Sequence, residues 1–408
     1  MIIAWNGATG VVGRTALNYL LRRLTSATNS SSATVSSSAT AQDGATAQPV
    51  IDELRLIGRS AKRLTALADA VHTSYPHIAV TTYPDCFSDA TTHPAAWPGR
   101  PLAGVDIFIN TAGPGYVLAP IFADYCARAG IPYVDPAGDP TILDNLAQQL
   151  AGTVQVTAPI ILGAGIQPGL SGVMVRALAE KAGDGGVVTI YAGGAQPTTP
   201  AAVQEFVESV DSGMRFAGMQ WVDGTHVPTQ LSDADLAAAA AEFSATATAH
   251  PHCDLEIGRA ASHTPHAGVT VQWNNINDAP HTQVEIQKYM AGDSTLQNVL
   301  DAADMDNFGR KHYFRMEGTA VTRSGDMWRS TLNCTDSFLV TASVTVQAAH
   351  AILAPPTAQA IPAGLYMPCD LDSAQSWWQG VMEDPTGTYA PAIHLVDNAH
   401  TGDEEGEL

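Results

Sequence analysis

The chain begins with MIIAWNGATGVVG (residues 1–13), in which an apolar segment runs directly into glycines at positions 7, 10 and 13. A parallel strand that is covered on both faces needs apolar residues at every position, and residues 1–5 provide them. Gly7 permits a tight turn, Gly10 lets a pyrophosphate approach the backbone, and Gly13 lets the next helix lie close to the sheet. The helix N-terminus offers N–H groups and a partial positive charge to the phosphates. This order of strand, glycine turn and helix predicts a dinucleotide site.

Strands and helices continue to alternate up to about residue 165. Strands are predicted at 54–57, 78–82, 105–110, 131–135 and 159–165, and helices at about 62–72 and 118–129. Such alternation predicts right-handed βαβ units and a parallel sheet. Residues 25–48 consist almost wholly of Ser, Ala and Thr, so we expect a disordered insertion there.

The pattern changes after Gly165. Strands are predicted at 187–191, 269–273, 282–289, 312–317, 319–322 and 328–333, and a helix at 342–353. Strands joined by short turns indicate an antiparallel sheet. The predicted fold is therefore α/β: a doubly wound parallel (Rossmann) sheet in a dinucleotide-binding domain over 1–165, and a second α+β domain with a mostly antiparallel sheet over 166–340. We expect the second domain to bind substrate and to form a homodimer.

Charge and cysteine usage narrow the class of protein. Of 408 residues 40 are acidic and 19 basic, and the net charge of −21 argues against nucleic acid or anionic membranes as partners. The five cysteines are scattered without a C-x-x-C pair, which indicates free thiols in a reducing compartment. The glycine motif leaves no room for a signal peptide before it, so we expect a cytoplasmic protein. Pro265 between His263 and His266 argues against a metal site, and none is predicted.

The end of the second strand indicates which nicotinamide nucleotide is bound. An NAD site usually places Asp or Glu there for the ribose 2′-OH. This chain has Gly58-Arg59-Ser60, with Arg63 close behind. A guanidinium and a hydroxyl suit a 2′-phosphate, so the predicted cofactor is NADP.

Small residues after another strand extend the site. Open α/β sheets bind ligands at the carboxyl ends of their strands, where Thr111-Ala112-Gly113-Pro114 follows Asn110. The predicted cofactor contacts are Gly7, Thr9, Gly10, Val11, Val12, Gly13, Arg59, Ser60, Arg63, Asn110, Thr111, Ala112, Gly113 and Pro114.

Taken together, these segments resemble the saccharopine dehydrogenase-like oxidoreductases. The resemblance rests on the glycine motif, Gly58-Arg59, the turn at 110–114, the segment AGIPYVDPAGD (129–139) and GAGIQPGL (163–170). It implies that residues 341–408 return to the dinucleotide-binding domain. Asp139 stands where the family often has Glu, and Gly115 where an aromatic residue is common.

Candidate catalytic and substrate residues are less sharply indicated. Hydride transfer to C=N or C=O needs a proton donor, and Tyr116 beside the 111–115 turn is a candidate, with Asp135 to orient it or bind a substrate amine. Each also fits a structural role, packing for Tyr116 and turn capping for Asp135. Asp139, Gln196 and Arg215 are candidate substrate contacts, Arg215 for a carboxylate.

The resemblance implies an NADP-dependent oxidoreductase that reduces a C=N bond, or runs the reverse reaction, on an amino-acid-derived or peptide-assembled substrate. Two alternatives stay open. One is a trans-acting enoyl reductase on carrier-bound acyl chains, and the other is a non-catalytic NADP-binding regulator.

Overall fold

The computed structural model describes residues 1–30, 50–86, 94–97, 99–211, 215–353, 360–371 and 392–396. The chain divides into two compact units, Met1–Gly169 with Phe338–Leu371, and Leu170–Ser337 with Asp372–Leu408. The first boundary lies four residues after the predicted one, at Gly169 rather than residue 165. Among the described helices, none is long and apolar enough to cross a membrane.

The first unit contains a fully parallel sheet. Its strands are β1 (Ile2–Asn6), β2 (Glu53–Gly58), β3 (Ala79–Pro84), β4 (Ile107–Asn110), β5 (Tyr133–Val134), β6 (Pro159–Ile161) and, after the second unit, β15 (Gly364–Tyr366). Its helices are α1 (Val11–Ser30), α2 (Ala61–Ser74), α3 (Gly115–Ala129), α4 (Pro140–Leu150) and α11 (Ser337–Leu353). The strand order is β15-β6-β5-β4-β1-β2-β3. The chain reverses its direction of sheet growth between β1 and β4, which is where doubly wound sheets open a ligand crevice.

Aromatic packing fixes α3 on this sheet. Phe108 of β4 and Phe122 of α3 are almost fully buried, and their ring centroids lie 5.5 Å apart. Trp97 packs edge-on against Phe122 at 5.3 Å, and Tyr133 of β5 lies 5.4 Å from Phe108. Such pairs add about 0.5–1.5 kcal/mol each beyond their buried area. The start of α3, at the carboxyl end of β4, is therefore held in place.

The second unit contains a mixed, mostly antiparallel sheet. Its strands are β7 (Val187–Ala195), β8 (Arg215–Ala217), β9 (Met219–Val222), β10 (Thr225–Pro228), β11 (Thr248–Asp254), β12 (Thr270–Asn277), β13 (Tyr313–Val321), β14 (Met327–Cys334) and β16 (Ala392–Val396). Its helices are α5 (Leu170–Ala182), α6 (Pro200–Asp211), α7 (Asp233–Glu242), α8 (Leu255–Ser262), α9 (Pro280–Met290) and α10 (Leu296–Asn307). The order is β10-β9-β12-β7-β13-β14-β16, with β11 on β12 and β8 on β11. β12 and β7 are parallel, and the other pairs are antiparallel.

Three local predictions differ from the structure. Residues 282–289, predicted as a strand, belong to α9. Residues 25–30, predicted to start the disordered insertion, complete α1, and 31–48 lie outside the described residues. The segment 341–408 does not return to the first unit as a whole, because β16 pairs with β14 in the second.

A buried carboxylate joins several elements of the second unit. Asp278 is fully buried and accepts hydrogen bonds from Arg310, from the Tyr313 hydroxyl at 2.8 Å and from Thr246 Oγ1 at 2.8 Å. Burial opposes ionisation of Asp278, but the hydrogen bonds from Tyr313, Thr246 and Arg310 outweigh it and lower the pKa of this carboxyl. Burial of the Tyr313 hydroxyl raises its pKa, and the neighbouring Asp278 carboxylate raises it further.

Asp278→Asn is expected to lower the free energy of unfolding by about 2 kcal/mol at neutral pH, because it removes charge-assisted hydrogen bonds. The folded-state pKa of Asp278 lies below the unfolded value of about 3.9, so its contribution is present above that pH and is lost as pH falls through the folded pKa. Urea unfolding of wild type and Asp278→Asn over the acid range should show that the difference between their free energies of unfolding shrinks as pH falls. A difference that stays constant with pH would contradict this assignment.

Candidate cofactor and active site

The glycine turn after β1 is shaped by its contact with the turn after β4. Gly7 has a φ of +78°, and its N–H donates to the Ile57 carbonyl of β2 at 3.1 Å. A Cβ at Gly7 would lie 2.5 Å from the Ala112 nitrogen. Glycine is therefore required at this position by the fold itself.

Gly13 is equally constrained, whereas Gly10 is not. A Cβ at Gly13 would lie 2.3 Å from the Gly7 carbonyl oxygen and 2.5 Å from Thr111 Oγ1. At Gly10 the nearest atom would be the Gly7 oxygen at 3.3 Å, and Gly10 is exposed. Packing explains Gly7 and Gly13, whereas a Cβ at Gly10 would make one tight contact, with the Gly7 oxygen, that a small shift relieves.

The first turn of α1 points N–H groups out of the helix. The first hydrogen bond that closes the helix runs from Arg14 N–H to the Gly10 carbonyl at 3.0 Å, so the N–H groups of Val11, Val12 and Gly13 precede the helical ladder. Val11 is 55% exposed. Thr9 is partly exposed in the same turn. This geometry suits the pyrophosphate of a dinucleotide.

The end of β2 presents a basic surface. Ser60 caps α2 by accepting the Arg63 N–H at 3.3 Å, which leaves its own O–H as a donor. The side chains of Arg59 and Arg63 are exposed. The structure thus brings a hydroxyl and guanidinium groups to the strand end where a dinucleotide's adenosine ribose is recognised in this fold.

Thr111 ties the ends of β1 and β4 together. Its N–H and its hydroxyl both donate to the Asn6 carbonyl, at 2.8 and 3.0 Å, and the hydroxyl accepts from Trp5 Nε1 at 3.0 Å. Ala112, Gly113 and Pro114 continue the turn, and Gly113 is exposed.

Asp135 lies inside the protein rather than at the crevice. Only 1% of the residue is exposed, and its carboxylate accepts from Asn110 Nδ2 at 2.8 Å, the Tyr133 hydroxyl at 2.6 Å and the Ala137 N–H at 2.8 Å. Burial raises the pKa of Tyr133, and the adjacent Asp135 carboxylate raises it further. This arrangement makes Asp135 a group that orders the strand ends.

Tyr116 is placed differently. It is the second residue of α3, directly after the turn at 111–114, and 38% of it is exposed. Of the two predicted catalytic residues, Tyr116 is the one that solvent and a ligand can reach.

The predicted substrate contacts are divided between the units, Asp139 in the first and Gln196 and Arg215 in the second. Asp139 caps α4 by accepting from the N–H groups of Thr141 and Ile142, at 2.6 and 3.2 Å. Gln196 belongs to the second unit, where its Oε1 accepts from the Ser337 N–H at 2.8 Å. Arg215 starts β8, and its side chain lies outside the described residues.

Asn6 and Tyr133 are site residues that the sequence analysis missed. Asn6 Nδ2 donates to Asn110 Oδ1 at 2.8 Å, and Tyr133 reaches Asp135. Asn6 and Asn110 stand opposite each other in the β1–β4 pairing. Two strands that each end in Asn before a small-residue turn were the available signal.

Thiols and metal ligands add nothing to this site. All five cysteines are free and buried. In the part of the chain that the structure describes, no group of three or more His, Cys, Asp or Glu side chains is arranged to hold a metal ion.

Comparison with known proteins gives the fold. No protein-family model and no curated protein sequence matches the chain. Among solved structures, apo saccharopine dehydrogenase (L-Glu forming) from Saccharomyces cerevisiae aligns over 97% of this chain and 99% of its own, with 11% identity and a TM-score of 0.55. A myo-inositol dehydrogenase from Corynebacterium glutamicum aligns over 98% and 99% at 10% identity with a TM-score of 0.39, and a mutant meso-dapdh with DAP from Clostridium tetani over 92% and 95% at 12% with 0.41.

The first alignment extends over both units of the chain. The predicted fold class, a parallel doubly wound sheet with a second α+β domain, is confirmed by the sheets described above. This chain has the fold seen in yeast saccharopine dehydrogenase.

Proposed function

We propose that this protein is an NADP(H)-dependent oxidoreductase that reduces a C=N bond, or runs the reverse reaction, on an amino-acid-derived or peptide-assembled substrate. The observation that carries the proposal is the turn at Gly7–Gly13, which joins β1 to α1 at the place where β1 and β4 lie side by side. There, packing accounts for Gly7 and Gly13 but leaves Gly10 open. A glycine that packing does not demand, at the opening of a doubly wound sheet, fits the close approach of a pyrophosphate.

Three groups of residues at this edge fit three parts of NADP. The N–H groups of Val11 and Val12 would hold the pyrophosphate, and Arg59 with Ser60 would hold the 2′-phosphate. The turn at 111–114 would lie along the nicotinamide side. When bound, NADPH supplies the hydride.

Tyr116 is the proposed proton donor. Its position at the start of α3 puts a phenol beside the turn at 111–114. In the reduction of an imine it would donate its hydroxyl proton to the nitrogen that gains electron density. The buried Asp135 takes no direct part and acts on the backbone of the strand ends.

A substrate panel tests the reaction. NADPH oxidation by purified protein should proceed with imines formed from an amino acid and an oxo acid, and not with enoyl thioesters. Turnover of enoyl thioesters alone would favour the enoyl reductase alternative. Binding of NADPH without turnover of either would favour a regulator.

Arg59→Ala is expected to raise the Kd for NADPH by about 10- to 150-fold, because a charge-assisted contact to phosphate contributes roughly 1.5–3 kcal/mol. The Kd for NADH should stay the same, since NADH lacks the 2′-phosphate. Titration of intrinsic NADPH and NADH fluorescence measures both constants. Lys62→Ala is the matched control, because Lys62 is exposed in the first turn of α2 and its substitution removes the same charge. An NADPH affinity within about threefold of wild type, or an equal loss in Lys62→Ala, would contradict the assignment of the 2′-phosphate to Arg59.

A further inference from the structure

The side-chain amide of Asn110 is fully buried, and all of its hydrogen-bonding capacity is used. Oδ1 accepts from Asn6 Nδ2 at 2.8 Å and from the Ala112 N–H at 3.2 Å. Nδ2 donates to the Ala112 carbonyl at 3.2 Å and to Asp135 Oδ2 at 2.8 Å. A primary amide has two donors and two acceptor sites, so no capacity remains.

The orientation of this amide is fixed by its surroundings. Rotating it by half a turn would set Nδ2 against the Ala112 N–H, and Oδ1 against the Ala112 carbonyl and the Asp135 carboxylate. Asp135 is itself held by Tyr133 and Ala137. The amide therefore has one satisfied arrangement, and buried polar groups without partners cost about 1–3 kcal/mol each.

This arrangement determines where the neighbouring backbone lies. Asn110 holds both the N–H and the carbonyl of Ala112, which belongs to the turn after β4. The Ala112 nitrogen is in turn the atom that a Cβ on Gly7 would meet at 2.5 Å. The two turns therefore approach each other closely at the backbone, and Thr111, next to Ala112, donates from its N–H and its hydroxyl to the Asn6 carbonyl, next to Gly7.

We infer that Asn110 is a positioning residue for the dinucleotide site, which sets the backbone of both the 111–114 turn and the Gly7 turn without touching the cofactor. The inference rests on the proposed function. It assigns to the buried chain Asn6–Asn110–Asp135–Tyr133 the task of holding two loops in the geometry that binds NADPH.

Asn110→Asp gives this inference a pH signature. The introduced carboxyl would lie against Asp135, and the other titratable groups nearby are the Tyr133 phenol and the Cys126 thiol beside it. Two facing carboxyls share one proton, and their common pKa is raised. While the shared proton is bound, the carboxyl introduced at position 110 can still accept hydrogen bonds from Asn6 and Ala112 and donate one to Asp135. As pH rises through the raised pKa, the proton leaves and both turns lose their support.

The experiment measures the Kd for NADPH by fluorescence, relative to wild type, at about pH 5.5 and about pH 8.5, together with thermal unfolding. Asn110→Asp is expected to bind within about threefold of wild type at the lower pH and at least about tenfold more weakly at the higher pH. Leu150→Ala is the control for stability alone, because Leu150 is buried at the far end of α4 and its truncation leaves the turns untouched. It should lower the melting temperature without changing the Kd.

A second variant covers the case in which Asn110→Asp does not fold at the higher pH. Asn110→Ser adds no charge, and its single hydroxyl cannot hold the Ala112 N–H, the Ala112 carbonyl, Asn6 and Asp135 together, so at neutral pH it should bind NADPH at least about tenfold more weakly than wild type. The inference is overturned if Asn110→Ser binds within about threefold of wild type, or if its loss equals that of a Leu150→Ala protein with the same melting temperature. If wild type itself binds neither NADPH nor NADH, the proposed function fails and the inference falls with it. If wild type binds and the variants bind equally well, the inference alone fails.

Discussion

Gly13→Ala is expected to destabilise the first unit by about 3 kcal/mol, the upper end of the range for overpacking against rigid neighbours. The added methyl would lie 2.3 Å from the Gly7 carbonyl oxygen, 2.5 Å from Thr111 Oγ1 and 2.9 Å from Ala8 Cα. Two of these three atoms are backbone, so no rotation of a side chain relieves the clash. Urea unfolding followed by circular dichroism measures the loss.

Gly10→Ala is the matched control on the same turn. Its methyl would meet only the Gly7 oxygen at 3.3 Å, so the free energy of unfolding should change by less than about 1 kcal/mol. NADPH affinity should nevertheless fall by about tenfold, because the methyl would occupy the approach of the pyrophosphate. Equal destabilisation by both substitutions would contradict the distinction between a packing glycine and a ligand glycine.

Tyr116→Phe is expected to lower kcat by about 100- to 10,000-fold, the range for loss of a general acid. The Kd for NADPH and the KM for substrate should change little, because the ring stays in place and only the hydroxyl group is removed. Steady-state kinetics with the best substrate of the panel, together with NADPH titration, separate these quantities. Tyr125→Phe, on the same helix, should leave kcat unchanged. A wild-type kcat in the Tyr116→Phe enzyme would mean that another residue is the general acid.

The first unit could be predicted from the sequence because its signals are local. The all-apolar strand before Gly7 and the short alternation of strands and helices each follow from rules about neighbouring residues. Asp139 was predicted only as a substrate contact, although an Asp followed by Pro140 is a usual helix start, which is the role the structure gives it.

The position of Asp135 could not be predicted in this way. The stretch Tyr133-Val134-Asp135 reads as a strand with a polar end at the crevice, but whether that end turns inward depends on what lies across the sheet. Asn110 comes from β4, 25 residues earlier, and Asn6 from β1. Only the pairing of three strands brings these groups together, and no periodicity within one segment reports it.

The error at α9 has a different cause. Val284 and Ile286 alternate with polar residues, as in a half-buried strand. The helix is instead set by Pro280 at its first position and by Asp306 of α10, which accepts from the N–H groups of His281 and Thr282 at 3.2 and 2.8 Å. The proline was a readable signal, whereas the carboxylate that caps α9 comes from a helix more than 20 residues away.

The late position of β15 has a consequence for synthesis. β15 pairs with β6 through Leu365 and Ile160, so the edge of the first sheet is supplied about 200 residues after the strand it covers. During translation, β6 leaves the ribosome with one side of its backbone unpaired, and the Leu170–Ser337 part of the second unit is made before its partner arrives. The nascent chain must therefore carry an exposed strand edge through most of its synthesis, and the first unit cannot reach its final cooperativity until residue 366 has emerged.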